Sequence, residues 1–196
     1  MKKAIKTLRT LLTENNPESA EAKAKEAKAT KEKAPKLILL SCPQSMRLLE
    51  VRKEDIYSVE SFGATVMTNE ATLDYGVRRL NLPLLCVMSH EGCEALERAV
   101  KVEQATDEEK VLYEHIAAGF SGKAKKEPQR TFDHIDTEVA AALARYGDLV
   151  KAWKLTVVGL YCDEKGRLFL TNYNGLRGKD TLAYSLPEVE SCFFMA

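Results

Sequence analysis

The sequence has no surplus of either charge: Lys+Arg and Asp+Glu both number 29. With cations balanced, nothing marks nucleic acid or an anionic membrane as a main partner. No apolar run approaches the roughly 18 residues of a membrane-spanning helix. The first dozen residues are basic and mildly amphipathic, but they lack the apolar core and small-residue cleavage site of a secretory signal. Glu14 and Glu18 follow quickly and arginine is scarce, which counts against a transit peptide, so a cytoplasmic protein is expected. The five cysteines, Cys42, Cys86, Cys93, Cys162 and Cys192, are odd in number and widely spaced, unlike a disulfide framework. There is no Walker motif and no G-x-G-x-x-G, so nucleotide binding has no support. No nucleophile elbow supports Ser/His/Asp hydrolysis. There is also no internal repeat.

What is present is enough apolar residue, 45% of 196, to build one core of ordinary size. Ile5, Leu8, Leu11 and Leu12 follow a helical spacing over residues 1–12, and Asn15-Asn16-Pro17 breaks it. Residues 18–34 are almost all Ala, Lys, Glu, Ser and Thr, which favours a solvated helix or flexible arm. A sharper reading docks the apolar face of the first helix on another subunit, with the Ala/Lys/Glu stretch as tether. After Pro35, apolar runs predict strands over 37–40, 56–59, 84–89 and 155–161, and an edge strand over 167–171 follows the turn at Asp163–Gly166. Helices are expected over 72–82 and 94–102. A capping box at Thr106-x-x-Glu109 opens another that ends near Gly119. A fourth runs over 133–146 and stops at Gly147, with a short piece over 149–153. Short apolar strands separated by helices predict an α/β fold: a mainly parallel β-sheet flanked by helices, with an antiparallel edge strand.

Two of these strands end on soft metal ligands. Leu37–Leu40 runs into Ser41-Cys42-Pro43, and Leu84–Ser89 runs into His90-Glu91-Gly92-Cys93. In an open α/β sheet, ligands bind beyond the carboxyl ends of parallel strands. If the two strands are neighbours, Cys42, His90 and Cys93 meet. Two thiolates and one imidazole suit zinc, and three protein ligands leave a position open for water or substrate. The bland alternative is a buried thiol at Cys42 and ordinary turn residues at His90 and Cys93. Cys86, in mid-strand, reads as core. His115 and His134, on helices, read as surface or packing residues, and Lys123-Ala124-Lys125-Lys126 as a solvated loop.

The order of these motifs resembles the β-class carbonic anhydrases. That family has C-x-D-S-R after its first strand and H-x-x-C after its third; here stand Cys42-Pro43-Gln44-Ser45-Met46 and His90-Glu91-Gly92-Cys93. Asp55–Ala64 is similar to the family's second strand and glycine-containing loop. Thr72-Leu73-Asp74-Tyr75-Gly76-Val77 is similar to its S-x-E-Y-A-V. His134-Ile135-x-x-Glu138-Val139 stands where it has N-V-x-x-Q-V, and Val157-x-Gly159-x-Tyr161 loosely matches its V-x-G-x-x-Y. Leu11–Asn15 is similar to its L-L-x-G-N.

The resemblance implies zinc as cofactor, held by Cys42, His90 and Cys93, and reversible hydration of carbon dioxide to bicarbonate by zinc-bound hydroxide. It also implies a homodimer or higher homo-oligomer, with carbon dioxide or bicarbonate as the small-molecule partner. Residues 1–36 would form a helical N-terminal arm and residues 37–196 a single α/β zinc-binding domain. The family's Asp/Arg dyad is replaced by Gln44 and Met46. Gln44 keeps a carbonyl oxygen that can accept a hydrogen bond, without charge, and becomes the candidate catalytic water-orienting residue. Met46 cannot pair, and Arg47 is one position late. Glu94 follows Cys93 where the family usually has glycine. Altered or reduced activity is therefore expected. The alternatives are a zinc-bearing pseudoenzyme that binds an anion or serves as a scaffold, and a hydrolase of a related molecule such as carbonyl sulfide.

Overall fold

The computed structural model describes residues 2–14, 34–47, 53–122 and 126–177. In chain order the elements are α1 (Lys2–Glu14), β1 (Leu37–Ser41), the single turn α2 (Pro43–Met46), β2 (Ile56–Glu60) and α3 (Glu70–Asp74). A wider π-type turn, Tyr75–Arg79, extends α3. Then come β3 (Leu84–His90), α4 (Glu94–Ala99), α5 (Asp107–Ala118), α6 (Gln129–Lys151), β4 (Thr156–Cys162), β5 (Leu168–Tyr173) and β6 (Leu176–Arg177). The six strands form one sheet in the order β2-β1-β3-β4-β5-β6. β2, β1, β3 and β4 run parallel, and β5 and β6 turn back antiparallel at one edge.

Alternation along the strands divides the core in two. Ile38, Leu40, Leu85, Val87 and Val157 face Val77 of the π-type turn and Ile135, Val139, Ala142 and Tyr146 of α6. Gly159 lets α6 approach β4, because a methyl group there would overlap Ile135. Leu37, Leu39, Leu84, Cys86, Met88, Val158 and Leu160 face the other way and are covered by Ala4, Leu8, Leu11 and Leu12 of α1. The apolar stripe of α1 thus docks on the sheet of its own chain, while Ile5 stays half-buried. A third cluster, at the end of β1 and β3, joins Cys42 and Cys93 to Leu96 of α4 and to Tyr113 and Ile116 of α5.

The capping box at the start of α5 forms as the sequence predicts: Thr106 Oγ1 accepts from the Glu109 amide, and the Thr106 amide donates to Glu109 Oε2. Three helical expectations need correction. The helix expected over 72–82 begins at Glu70 and widens at Tyr75. The helix expected over 94–102 ends at Ala99, with a 3-10 turn over Val102–Gln104. The two pieces over 133–146 and 149–153 are one helix, α6, which leaves helical geometry at Tyr146 (φ −119°, ψ 16°) and resumes beyond Gly147. The break at 15–17, the Ala/Lys/Glu stretch, Lys123–Lys125 and Cys192 lie outside the described residues. Among the described residues no helix is long and apolar enough to cross a membrane.

Candidate metal centre

β1 and β3 are hydrogen-bonded neighbours, with Ser41 level with Met88, so their carboxyl ends open side by side. β1 delivers Cys42 and β3 ends on His90. The chain then turns through Gly92 and starts α4 with Cys93 in the N-cap position. One ligand-type atom from each of Cys42, His90 and Cys93 lies within 4.8 Å of the others, and all three residues are buried. Among the described residues no other group of three His, Cys, Asp or Glu meets this test.

The imidazole is oriented by its own neighbour. His90 Nδ1 lies 2.8 Å from the Glu91 carbonyl oxygen. A carbonyl only accepts, so Nδ1 carries the proton and Nε2 is left with a lone pair. That Nε2 is buried and has no hydrogen-bond partner among the described residues. Burial opposes a charge on this ring, but the nearby Cys42 sulfur and the Glu91 carbonyl outweigh it and raise its pKa. Cys93 lies against Cys42 and holds that thiol well below the ordinary range; burial works the other way, while His90 and the backbone amides of Gln44 and Gly63 add to the lowering. The same contact, with burial, pushes Cys93 up, although the amides of Ala95 and Leu96 oppose this. A buried lone pair without a partner costs free energy. Two sulfurs beside it complete a donor set that a soft dication satisfies. The residues fit zinc.

The sequence matches the carbonic anhydrase family over residues 37–152, more than half of the chain. The chain belongs to the β-class carbonic anhydrase family. Among solved structures it is similar to a Coccomyxa β-carbonic anhydrase in complex with acetazolamide, at 14% identity and a TM-score of 0.61, covering 99% of this chain and 93% of that one. It is also similar to the β-carbonic anhydrase CcaA, at 13% identity and a TM-score of 0.59, covering 80% and 83%. A third is one of two tetrameric β-carbonic anhydrases from the ascomycete Sordaria macrospora, at 16% identity and a TM-score of 0.56, covering 74% and 83%. At these identities the likeness is one of fold. No curated protein gives a significant match.

Against the β-carbonic anhydrase pattern, the turn after Cys42 is the altered part. Gln44 is exposed on α2, Met46 packs partly against the α1 side of the sheet, and Arg47 is exposed. Ser45, where the family also has serine, is buried and donates to the Cys42 carbonyl at 2.7 Å. Cys86 is buried and its thiol pushed up by burial, as a core residue should be. Cys162 is likewise buried and pushed up to about 12 by burial and by Asp163.

His134 is fully buried, with Nε2 2.7 Å from the Gly63 carbonyl, and His115 pairs with buried Glu138 at 3.0 Å. Neither histidine joins the Cys42–His90–Cys93 group. Sequence reasoning missed Glu138 as a functional candidate. Its signal was the inward spacing with His134, Ile135 and Val139 on one helix face.

Proposed function

We propose that Cys42, His90 and Cys93 hold zinc and that the chain interconverts carbon dioxide and bicarbonate, at a rate reduced by the altered turn after Cys42. The observation that carries this reading is the buried, unpartnered Nε2 of His90 between two thiols in a chain of this family. The Glu91 carbonyl fixes the imidazole tautomer that leaves Nε2 free to bind. Cys93, His90 and the backbone at Gln44 and Gly63 favour a thiolate at Cys42, whereas at Cys93 the contact with Cys42 and burial outweigh the opposing backbone at Leu96 and Ala95. Zinc held there supplies a Lewis acid that brings the pKa of water down to about 7. Gln44 is the candidate water-orienting residue; as a neutral amide it accepts a hydrogen bond but adds no charge. The assembly is proposed to be a homodimer or larger, as a fold relative is tetrameric.

Carbon dioxide hydration, followed by stopped flow on protein whose zinc content is measured in the same sample, tests this. A rate well above buffer at one zinc per chain supports the activity. A chain that takes up no zinc rules out the ligand assignment. The exposure of Gln44 and Arg47 and the half-buried Met46 favour a second reading, a zinc-bearing pseudoenzyme that binds an anion or serves as a scaffold. Full zinc with no hydration rate selects it, or the hydrolysis of a related molecule such as carbonyl sulfide. If loss of the dyad limits the rate, Gln44→Asp combined with Met46→Arg raises it by about tenfold or more, since positioned acid–base groups contribute about 10²–10⁴-fold. An unchanged rate at full zinc removes that explanation.

A further inference from the structure

The loop after β2 packs on the cluster that holds Cys42 and Cys93: a Cβ on Gly63 would stand 2.8 Å from Ile116 Cδ1 and 3.4 Å from Ala95 Cβ, both members of that cluster. This loop has little regular structure of its own. Gly63 and Ala64 both have positive φ, at 77° and 50°. Its start is tied to β1, where the Ser61 amide donates to the Ser41 carbonyl at 3.0 Å. Two side chains of α6 hold it by hydrogen bonds. His134 Nε2 lies 2.7 Å from the Gly63 carbonyl oxygen, and Glu138 Oε2 accepts from the Val66 amide at 2.7 Å. Four residues apart on α6, these two side chains share one face of the helix. Both are buried, at 1% and 0% exposure. The second Glu138 oxygen is taken by His115 Nε2 at 3.0 Å.

The arrangement at His134 is not the cheapest way to fill space. A carbonyl only accepts, so Nε2 carries the proton and Nδ1 is left as an acceptor. Nδ1 is buried and has no partner among the described residues. An unmade hydrogen bond of this kind costs free energy that an apolar side chain of similar shape would avoid. The retained gain is the bond to Gly63. Groups that orient a metal ligand from behind commonly change metal affinity by about 10–100-fold when removed.

We propose that His134 is a positioning residue for the metal centre: through its Nε2–H bond to the Gly63 carbonyl, with Glu138 on the Val66 amide as second anchor, it fixes the Gly63 loop against the cluster that holds Cys42 and Cys93, and so sets how tightly the site holds zinc. This rests on the reading of Cys42, His90 and Cys93 as the zinc ligands. His134 acts through the backbone of Gly63 and does not itself bind the metal.

Three measurements decide it. Nitrogen-15 NMR of the unmodified protein gives the His134 tautomer: Nε2–H is expected, and Nδ1–H overturns the proposal. Cobalt titration then compares the unmodified chain with His134→Gln, which keeps a donor near the Nε2 position, and with His134→Leu, which has none. His134→Leu is expected to weaken cobalt binding by about tenfold or more and to shift the thiolate-to-cobalt absorption band. His134→Gln should stay within about threefold of the unmodified chain. Hydrogen exchange in the metal-free proteins should quicken at residues 62–66 in the leucine variant alone. A folded leucine variant with unchanged affinity, band and exchange overturns the proposal, as does a glutamine variant that loses as much as leucine. If leucine does not fold, His134→Phe, which keeps ring volume without a donor, takes its place. An unmodified chain that binds no cobalt fails the zinc reading instead, and the tautomer and exchange data still judge the loop clamp separately.

Discussion

Gly63 has the least room to change. Its φ of 77° lies in the left-handed region, and an added Cβ would stand 2.8 Å from Ile116 Cδ1 and 3.4 Å from Ala95 Cβ. Gly63→Ala should cost about 1–2 kcal/mol from the backbone alone, and more as Ile116 shifts in its buried site. A thermal melt measures the loss, and a melting temperature within error of the parent would contradict it.

The two histidines on either side of Glu138 respond to pH in opposite senses. The contact with Glu138 raises the pKa of His115 against partial burial. This stabilisation is complete below the unfolded value of about 6.5 and is lost as pH rises through the raised folded value. His134 is lowered by burial, with His115 acting the same way and Glu138, the Gly63 carbonyl and Cys42 opposing. In the window below about 6.5 the unfolded chain therefore binds the proton more readily, and stability is lost on acidification. Between pH 7 and 5, His134→Gln should lose less melting temperature than the parent and His115→Gln more. Parallel curves for all three proteins would contradict both assignments. None of this was legible in the sequence. A polar residue on an amphipathic helix reads as surface or packing until its partners are known. Cys42, His90 and Cys93 were legible because each stands directly beyond an apolar strand or at the turn that follows it.

At the scale of elements, the strands were the readable part. β1, β3 and β4 are short apolar runs buried throughout, and burial on both faces leaves little else for such a run to be, whereas β2 is partly exposed and the exposed two-residue β6 was not expected. The helices were less so, because packing overrides local signals. Gly147 read as a stop, but glycine costs a helix only about 1 kcal/mol relative to alanine. Leu149 and Val150 pack on the core beyond it. Just before it, the Tyr146 hydroxyl donates to Asp74, and Arg145 grips the same carboxylate, so α3 is tied to α6 across the irregular turn. The spacing of Leu8, Leu11 and Leu12 revealed a helix, while the surface it covers depends on the chain path through residues 15–33. Docked on its own sheet, α1 buries Leu8 to 2% exposure. Leu8→Ala should therefore cost about 2–5 kcal/mol, the range for a leucine truncated in a packed core. Denaturant unfolding checks this, and a cost below about 0.5 kcal/mol, usual for surface positions, would mean that α1 leaves the sheet in solution.

For the whole molecule, the three candidate ligands join two parts far apart in sequence: the end of β1, and the turn from β3 into α4. Unfolding separates them, so a metal that bridges them binds the folded chain in preference to the unfolded one. At a free zinc concentration about 100 times the dissociation constant, such binding adds about 2.7 kcal/mol of stability. For a chain of this size that raises the melting temperature by about 5–10 °C, at about 2–4 °C per kcal/mol. Chelation should reverse the rise. Cys93→Ser should abolish most of it, because serine is a poor zinc ligand and Cys93 is the ligand that ties α4 to the strand ends. The measurement is a pair of melts, with zinc and with chelator, on the parent and on Cys93→Ser. If the serine variant folds and its melting temperature rises with zinc as much as the parent's, the stabilising metal sits elsewhere. If the parent shows no rise while holding one zinc per chain, the metal is bound equally well by the unfolded chain, and the strand ends are held together by the Cys42–Cys93–Ile116 packing alone.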